Sequence, residues 1–396
     1  MYPSRWSARA GPAVLLAAVA SAAGAQQAAT LSKPDAETRE SFTLISSIRE
    51  LPSGRVLVAD RQDKVVQLVD LSAGTSTRVG REGQGPGEYG LPFTLLGLPN
   101  GETLLYDLLG RRFLILGLDG KPGGILEMPR PAGAAPGGPI AGLGLNNVRG
   151  IDGQGRIYFE GSPFTATGGT ADSVPIYRWD RTRPVFDTIG WVAVPPGSAI
   201  ASGGGNRVSV QIGGGKVWAP AETWDVAGDG RVARVISSPY RVIWLTGGSR
   251  AVAGPVQPYT PIRVTDADKA LYLENRRKNR GNFAIVVGGG GGGGGGSRRG
   301  PPPGPPAQDP EFSETMPPFL GRGAVLATPD GEVWVLRSRP AGDKIPTYDV
   351  FDRTGALVKK VRLNPESRVV GFGKGAVYVA RTDEDDLQYL ERYRRP

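Results

Sequence analysis

Residues 329–335 read PDGEVWV: a tight turn with glycine in third place, followed at once by a short apolar strand. Glycine suits the left-handed backbone that hairpin turns require. A strand that is apolar on both faces indicates sheets packed against it from two sides. Six segments share this pattern: 52–58 (PSGRVLV), 99–105 (PNGETLL), 153–159 (GQGRIYF), 228–234 (GDGRVAR), 329–335 and 373–379 (GKGAVYV). The repetition predicts a repeat architecture.

A second strand that ends in an Asp/Gly turn follows these segments, for example at 65–70, 113–119 and 348–352. Each unit therefore reads as a four-stranded antiparallel meander. Neighbouring turn glycines lie about 45 to 55 residues apart where nothing is inserted, which is the length of a propeller blade. Similar hairpins occur in β-sandwiches, but sandwich strands usually alternate between polar and apolar residues. We therefore predict an all-β fold, a six-bladed β-propeller of four-stranded antiparallel blades.

Two longer gaps interrupt the spacing. Between Gly155 and Gly230 the sequence predicts an extra hairpin of residues 208–210 and 216–218 around a Gly213–Gly215 turn, which makes seven blades the second choice. Between blades 4 and 5 we predict an insert, residues 252–322, with a helix at 265–280. A Gly/Pro-rich linker at 288–308 is expected to be disordered.

The first 25 residues resemble a secretory signal peptide rather than part of the fold. They hold two arginines, a short apolar stretch and the small-residue site Ala23-Gly24-Ala25. The apolar stretch is shorter than the ~20 residues that cross a bilayer. We expect an exported, periplasmic or extracellular protein without a transmembrane anchor, whose residues 26–396 form a single propeller domain and a monomer.

The chain contains no Cys and no His. This excludes Ser-His-Asp and Cys-His nucleophiles, disulfides and the common zinc sites. Catalysis would have to use carboxylates, Arg, Lys, Tyr or Ser, or a hard metal bound by oxygen. An enzyme is therefore the less favoured class.

Charge is concentrated in one segment. The formal net charge is +9, and residues 251–300 hold eight Lys/Arg against three Asp/Glu. This segment could bind an anionic polymer or membrane surface, but we favour a solvated helix in a loop expansion. Nucleic acid is not expected as a partner of an exported chain.

Two segments resemble the NHL-repeat group. Residues 60–66 (DRQDKVV) are similar to the segment after the second strand of an NHL repeat, and residues 80–89 (GREGQGPGEY) to the Gly-rich connection between blades. Residues 348–352 (YDVFD) and 371–373 (GFG) resemble bacterial exported six-bladed propellers. The resemblance implies a fold and a binding role, and it carries no catalytic residues. The NHL lyases that process peptides rely on zinc bound by His, which this chain lacks.

The residue six places after each turn glycine marks a candidate site. These residues are Asp60, Asp107, Gly161, Ile236, Arg337 and Arg381. Equal offset implies equal height on each blade, so we predict that the four charged residues share one face. Asp60 and Arg381, on blades that meet, should lie close together, either as an inter-blade salt bridge or as a polarised mouth that orients an anionic or zwitterionic ligand. Arg61 is a further binding candidate.

No cofactor is predicted, and Ca²⁺ is the alternative. Residues 383–386 are four consecutive acids, and Asp383 and Asp385 could supply oxygen ligands, but the Asp-x-Asp-x-Asp-Gly spacing is missing. Such a run more often forms a solvated hairpin tip.

The preferred functional hypothesis is a binding or scaffold module for a peptide, glycan or protein partner. The alternative is a carboxylate- or Ca²⁺-dependent hydrolase or lyase, lactonase-like, with its site in the central channel. Asp, Glu or Asn side chains that converge in the channel would favour the enzyme.

Ring closure is predicted from the end of the chain. Residues 389–394 read as the third strand of blade 6, and the chain stops at Pro396. The fourth strand must come from elsewhere, and residues 31–42 are the candidate.

Overall fold

The computed structural model describes residues 27–128, 147–163, 171–183, 185–196, 199–204, 207–212, 215–247, 250–279 and 310–396. The predicted signal peptide (1–25) and the predicted linker (288–308) lie outside these residues. Among the described residues, no helix combines the length and apolar character that crossing a membrane requires.

Six four-stranded antiparallel blades form a ring, which confirms the predicted propeller. Two N-terminal strands, β1 (Gln27–Leu31) and β2 (Ala36–Glu37), precede the first blade. Blade 1 comprises β3 (Ile45–Glu50), β4 (Val56–Asp60), β5 (Val65–Asp70) and β6 (Thr75–Val79). After the short pair β7 (Arg81–Glu82) and β8 (Glu88–Tyr89), blade 2 comprises β9 (Pro92–Gly97), β10 (Thr103–Asp107), β11 (Arg112–Leu116) and β12 (Pro122–Glu127). Blade 3 comprises β13 (Asn147–Ile151), β14 (Ile157–Glu160), β15 (Ser173–Asp180) and β16 (Val185–Ala193).

The second half of the ring carries the insertions. A hairpin of β17 (Ala199–Gly204) and β18 (Arg207–Ile212) precedes blade 4, which comprises β19 (Glu222–Val226), β20 (Val232–Ser237), β21 (Tyr240–Leu245) and β22 (Ala251–Ala253). The insert then contains β23 (Ile262–Arg263), the helix α1 (Asp266–Asn279), β24 (Thr315–Met316) and a 3₁₀ turn at Arg322–Ala324. Blade 5 comprises β25 (Val325–Ala327), β26 (Val333–Leu336), β27 (Thr347–Phe351) and β28 (Leu357–Leu363). Blade 6 comprises β29 (Ser367–Gly373), β30 (Ala376–Thr382) and β31 (Gln388–Arg394).

The turn glycines set the register of the blades. All six have positive φ, between 65° and 91°, a conformation that side chains disfavour. The strands that follow are largely buried, and β4 and β10 are buried at every residue. The first strands of neighbouring blades contact one another in the order blade 6, blade 1, blade 2, blade 3, blade 4 and blade 5. These strands line the central axis.

The N-terminal segment closes the ring, as predicted. Strand β2 pairs antiparallel with β31 and supplies the fourth strand of blade 6. The Thr38 N–H donates to the Leu390 carbonyl at 2.9 Å, and Phe42 and Gln388 exchange two backbone bonds of 2.7 Å. Phe42 is buried in the core between blades 6 and 1.

Strand β1 was not predicted. It pairs parallel with β28 and adds a fifth strand to the outside of blade 5. Its sequence, QAATL, is short and carries no alternation or turn signal, so only its partner in space defines it as a strand.

The predicted hairpin before blade 4 is wrong in its pairing, and the seven-blade alternative falls with it. Strand β18, which contains residues 208–210, pairs with β17 rather than with residues 216–218. Val217 instead forms an isolated parallel bridge with Phe312 of the insert. The polyglycine stretch suggested a turn, whereas the partner strand lies upstream.

Candidate functional site

The second strands of all blades run from their turn glycine to the same face of the ring, which we call the upper face. They end there at Asp60, Asp107, Glu160, Ser237, Leu336 and Thr382. The structure therefore places Asp60, Asp107, Arg337 and Arg381 at the upper face, at or next to the ends of their strands.

Asp60 is a structural carboxylate. It is only 2% exposed, and Oδ2 accepts the Thr43 and Leu44 N–H groups at 2.7 and 3.1 Å. Its Oδ1 accepts the Gln62 and Asp63 N–H groups at 2.9 and 3.0 Å. Four backbone donors thus occupy both oxygens, and Asp60 fixes the segment that leads into blade 1 against the turn after β4.

Asp107 has the same function in blade 2. It is buried, and Oδ1 accepts the N–H of Leu91, just before β9, at 2.9 Å. The Arg112 guanidinium lies 3.6 Å from Oδ2. Both acids of the predicted ring therefore accept backbone N–H groups of the segments that lead into their blades.

Arg337 neutralises a buried acid of the neighbouring strand. Its Nη1 lies 3.2 and 3.3 Å from the two carboxylate oxygens of Asp349, which is completely buried. The Tyr240 hydroxyl, from blade 4, donates to Asp349 Oδ2 at 3.0 Å. Burial raises the pKa of Tyr240, and the Asp349 charge raises it further, so this hydroxyl stays a donor.

Arg381 forms an equivalent group in blade 6. Its Nε donates to Glu391 Oε1 at 2.6 Å, and the Tyr393 hydroxyl donates to Oε2 at 2.7 Å. The hydrogen bond to Glu391 raises the pKa of Arg381. The predicted contact between Asp60 and Arg381 is wrong: among the described residues Arg381 pairs with Glu391 and, at 3.8 Å, with Glu37. Blades 6 and 1 are neighbours, as predicted. The Arg381 guanidinium nevertheless pairs with Glu391, a nearer carboxylate on the same blade.

The Arg381 group allows a direct test. Glu391 is 2% exposed, so Arg381→Ala leaves a buried carboxylate with one remaining donor from Tyr393. We expect a loss of about 3 kcal/mol in unfolding free energy, measured by urea denaturation, against less than about 1 kcal/mol for the exposed control Arg394→Ala. Equal, small losses in both variants would contradict a buried ion pair.

Arg61 directly follows β4, at the upper-face end of blade 1. Burial lowers the pKa of Arg61 and that of Arg368, which the charge of Arg61 lowers further. Arg368 Nη2 donates to the Ile45 carbonyl at 2.5 Å and to Gln388 Oε1 at 3.1 Å. The two guanidiniums therefore sit near each other, and Arg368 is tied into the seam.

The weak calcium candidates shape their own turn. Asp383 Oδ1 accepts the N–H groups of Asp385 and Leu387 at 3.0 and 2.9 Å. Across the described residues, no group of three or more Asp or Glu side chains converges as a metal site would require. Ca²⁺ stays an untested prediction for this hairpin.

The first strands carry three acidic residues, Glu50 of blade 1 and Glu222 and Asp225 of blade 4. The enzyme alternative requires such carboxylates to converge in the central channel. Glu50 accepts the Tyr378 hydroxyl at 2.7 Å, and Glu222 accepts the Ala193 N–H at 3.1 Å. Asp225 Oδ2 accepts the N–H of Ala327, across the seam to blade 5, at 2.7 Å. Each acid is bound to a neighbouring strand or blade, so the three do not form a shared cluster.

Asp225 nonetheless has an unusually high pKa. Burial raises its pKa to about 6, against the hydrogen bonds from Ala327 and Val226 and the charge of Arg149, which lower it. The folded protein therefore holds this proton more tightly than the unfolded chain, in which an Asp has a pKa of about 3.9.

This pKa predicts a pH-dependent stability difference. Stabilisation by the Asp225 proton is complete below about pH 4 and is lost as the pH rises to about 6. Carboxylates with lowered pKa act oppositely, as does Asp180, whose pKa the Thr182 hydrogen bonds hold at about 2. The wild type must therefore be compared with Asp225→Asn, which does not titrate. Its stability relative to that variant should fall by about 2–3 kcal/mol between pH 4 and pH 7 in urea denaturation; a difference that rises or stays constant would contradict the assignment.

A cleft of about 320 Å³ opens on the upper face between α1 and blade 5. The helix docks there through Asp268, which caps it by accepting the Thr265 N–H at 2.7 Å and also accepts the Ala341 N–H of blade 5 at 2.7 Å. Burial alone would raise the pKa of Asp268, but these bonds hold it below its ordinary value. The cap therefore stays ionised and fixes the helix over the loop that follows β26.

One wall of this cleft is apolar. The Trp218 ring packs against Tyr272 of α1 and Phe312, with centroid distances of 5.8 and 5.3 Å. Leu271 and Leu320 also line the cleft and are 43% and 40% exposed. Large apolar side chains that stay accessible inside a concave site are typical of ligand pockets.

The other wall is polar and is shared with a second cleft. Arg337, Ser338 and Arg339 separate the first cleft from one of about 190 Å³ that is also lined by Asp343 and Lys360. We call these two spaces the inner cleft (beside α1) and the outer cleft (beside Lys360).

Two polar atoms at this boundary lack partners. Ser338 is 7% exposed, and its Oγ has no hydrogen-bond partner among the described residues. Arg339 Nη1 is buried and equally without a partner there. An unsatisfied buried polar group costs about 1–3 kcal/mol, so a hydrogen-bond acceptor placed here would stabilise the protein.

Sequence reasoning selected Arg337 and missed Ser338 and Arg339. The offset rule follows the strand, whereas these two residues lie in the loop beyond it. Trp218 lies more than 100 residues upstream of this loop, and the sequence singled it out only as part of the predicted hairpin segment 216–218. The usable signal was Arg-Ser-Arg at positions 337–339, directly after a second strand.

Comparison with protein-family models finds no match, and comparison with curated protein sequences finds none. Solved structures with a similar fold include regucalcin, a calcium-binding protein of Agrobacterium tumefaciens, at 10% identity and a TM-score of 0.40, covering 92% of this chain and 95% of that one. A candidate exported protein of Bacteroides fragilis is 12% identical with a TM-score of 0.46, covering 93% and 99%. A gluconolactonase of Xanthomonas campestris is 8% identical with a TM-score of 0.41, covering 90% and 91%. At these identities the likeness concerns the propeller fold alone.

Proposed function

We propose that this protein is an exported binding module of the NHL-like kind, in which the propeller is the scaffold and the clefts beside α1 hold the ligand. The signal-like residues 1–25 support export, and residues 60–66 and 80–89 support the NHL relation. The observation that carries the binding role is the pair of unpartnered polar atoms, Ser338 Oγ and Arg339 Nη1, beside an accessible apolar wall.

Charge indicates an anionic group on the ligand. Neither Arg339 nor Lys360 belongs to any of the ion pairs formed by the described residues, whereas Arg337 is neutralised by Asp349. The guanidinium fork of an arginine matches carboxylate and phosphate groups with two parallel hydrogen bonds. The peptide, glycan or protein partner should therefore present such a group to Arg339.

The test compares matched arginine variants on peptide and glycan arrays. Arg339→Gln removes the cleft cation, and Arg394→Gln removes one from an exposed site on blade 6. We expect ligands of the clefts to bind Arg339→Gln at least about ten-fold more weakly, equivalent to about 1.4 kcal/mol, and Arg394→Gln normally. Identical array profiles for the wild type and Arg339→Gln would refute the proposed site.

A further inference from the structure

The two clefts differ in character on either side of the Ser338–Arg339 boundary. The inner cleft is walled by Trp218, Leu271 and Leu320. The outer cleft is lined by Lys360, Asp343 and Thr347, which together supply donors and acceptors. A ligand that fills both clefts must be apolar at one end, anionic in the middle and polar beyond.

A peptide C-terminus has this order of groups. We infer that the clefts hold the last residue of a peptide chain that ends in a bulky apolar amino acid, an inference that rests on the proposed binding function. The apolar side chain enters the inner cleft, and the terminal carboxylate accepts hydrogen bonds from Arg339 Nη1 and Ser338 Oγ. The preceding residues run through the outer cleft, where their amide groups meet Asp343, Thr347 and Lys360.

A fatty acid shares the apolar group and the carboxylate, but it has nothing to place in the outer cleft. Its acyl tail would occupy the inner cleft, and the polar groups around Lys360 would stay without a ligand. A free peptide chain satisfies both spaces with the chemistry present in each, since its backbone both donates and accepts.

Gly323 offers a way to block the inner cleft without disturbing the core. It lines this cleft, and a Cβ added at its position meets no atom within 4 Å. Gly323→Phe should therefore project an aromatic ring into the space that the ligand side chain needs. Arg339→Lys keeps the charge but removes the planar fork.

The experiment measures fluorescence anisotropy of the N-terminally fluorescein-labelled peptide Ala-Ser-Gly-Leu. Its C-terminal amide and the free acid Ala-Ser-Gly-Asp are the comparison probes. We expect the Leu free acid to bind, and the amide, the Asp peptide and Arg339→Gln each to weaken binding at least about ten-fold. Gly323→Phe should abolish binding, Arg339→Lys should weaken it less than Arg339→Gln, and Arg394→Gln should not change it. Melting temperatures of all variants, read by circular dichroism, establish that they are folded.

Several outcomes separate this inference from the proposed function. Equal binding of acid and amide, or binding that Gly323→Phe leaves unchanged, overturns the C-terminal inference. Tight binding of laurate, sensitive to Gly323→Phe, with no peptide binding also overturns it and identifies an acyl ligand. If array ligands depend on Arg339 but no peptide binds through its C-terminus, the C-terminal inference is wrong and the proposed binding function stands. If neither Arg339→Gln nor Gly323→Phe affects any ligand, both proposals fall.

Discussion

Deleting residues 27–42 should lower the unfolding free energy by at least about 5 kcal/mol. The deletion removes β2, the fourth strand of blade 6, and with it the bonds from Thr38 and Phe42 to β31. Loss of a buried Phe alone costs about 3–5 kcal/mol, and Phe42 is 3% exposed. Each backbone hydrogen bond adds about 0.5–1.5 kcal/mol. Urea denaturation followed by tryptophan fluorescence measures the change.

A shorter deletion is the matched control. Removing residues 27–31 takes away β1, which lies outside blade 5 and pairs with β28, but leaves ring closure intact. This variant should lose clearly less stability than the longer deletion, with Leu31 as its main buried contribution. Equal losses in the two variants would show that closure by β2 contributes little.

The blades could be predicted because their signals are local. A glycine with positive φ and the apolar strand after it lie within seven residues, so one segment such as 52–58 determines its own turn, direction and burial. Ring closure could be predicted by counting the strands of blade 6, because the C-terminal repeat supplies only three of the four that a blade needs. Strand β1 could not be predicted, because nothing in QAATL distinguishes an added parallel strand from a free N-terminal segment.

The partners of the upper-face arginines were within reach of sequence reasoning. The second and third strands form a hairpin in which Leu336 faces Tyr348 and Arg381 faces Tyr389. Asp349 and Glu391 therefore lie diagonally within reach of Arg337 and Arg381, as cross-strand neighbours do. The comparison between blades concealed these pairs, because it aligned only the second strands.

The clefts could not be predicted in the same way. Their walls combine Trp218, a residue of α1 and the loop at 337–339, which are distant in sequence and meet only after the insert folds back over blade 5. The sequence predicted the helix but not where it docks. Its docking rests on contacts between residues distant in sequence, such as the Ala341 N–H to Asp268 and Tyr272 against Trp218, which no periodicity reveals.

Arg337→Ala should cost about 3–5 kcal/mol of unfolding free energy, because it leaves the Asp349 carboxylate buried with only the Tyr240 hydroxyl as a side-chain donor. A double-mutant cycle isolates this effect. In an Asp349→Asn background there is no buried charge to neutralise, so Arg337→Ala should then cost less than about 1 kcal/mol. Additive losses would mean that Arg337 stabilises the fold through contacts other than Asp349. The result also decides how binding data are interpreted: if the cycle shows strong coupling, loss of ligand binding in Arg337→Ala reflects a disturbed blade 5, and Arg339, which holds no buried acid, is the residue on which the ligand site must be tested.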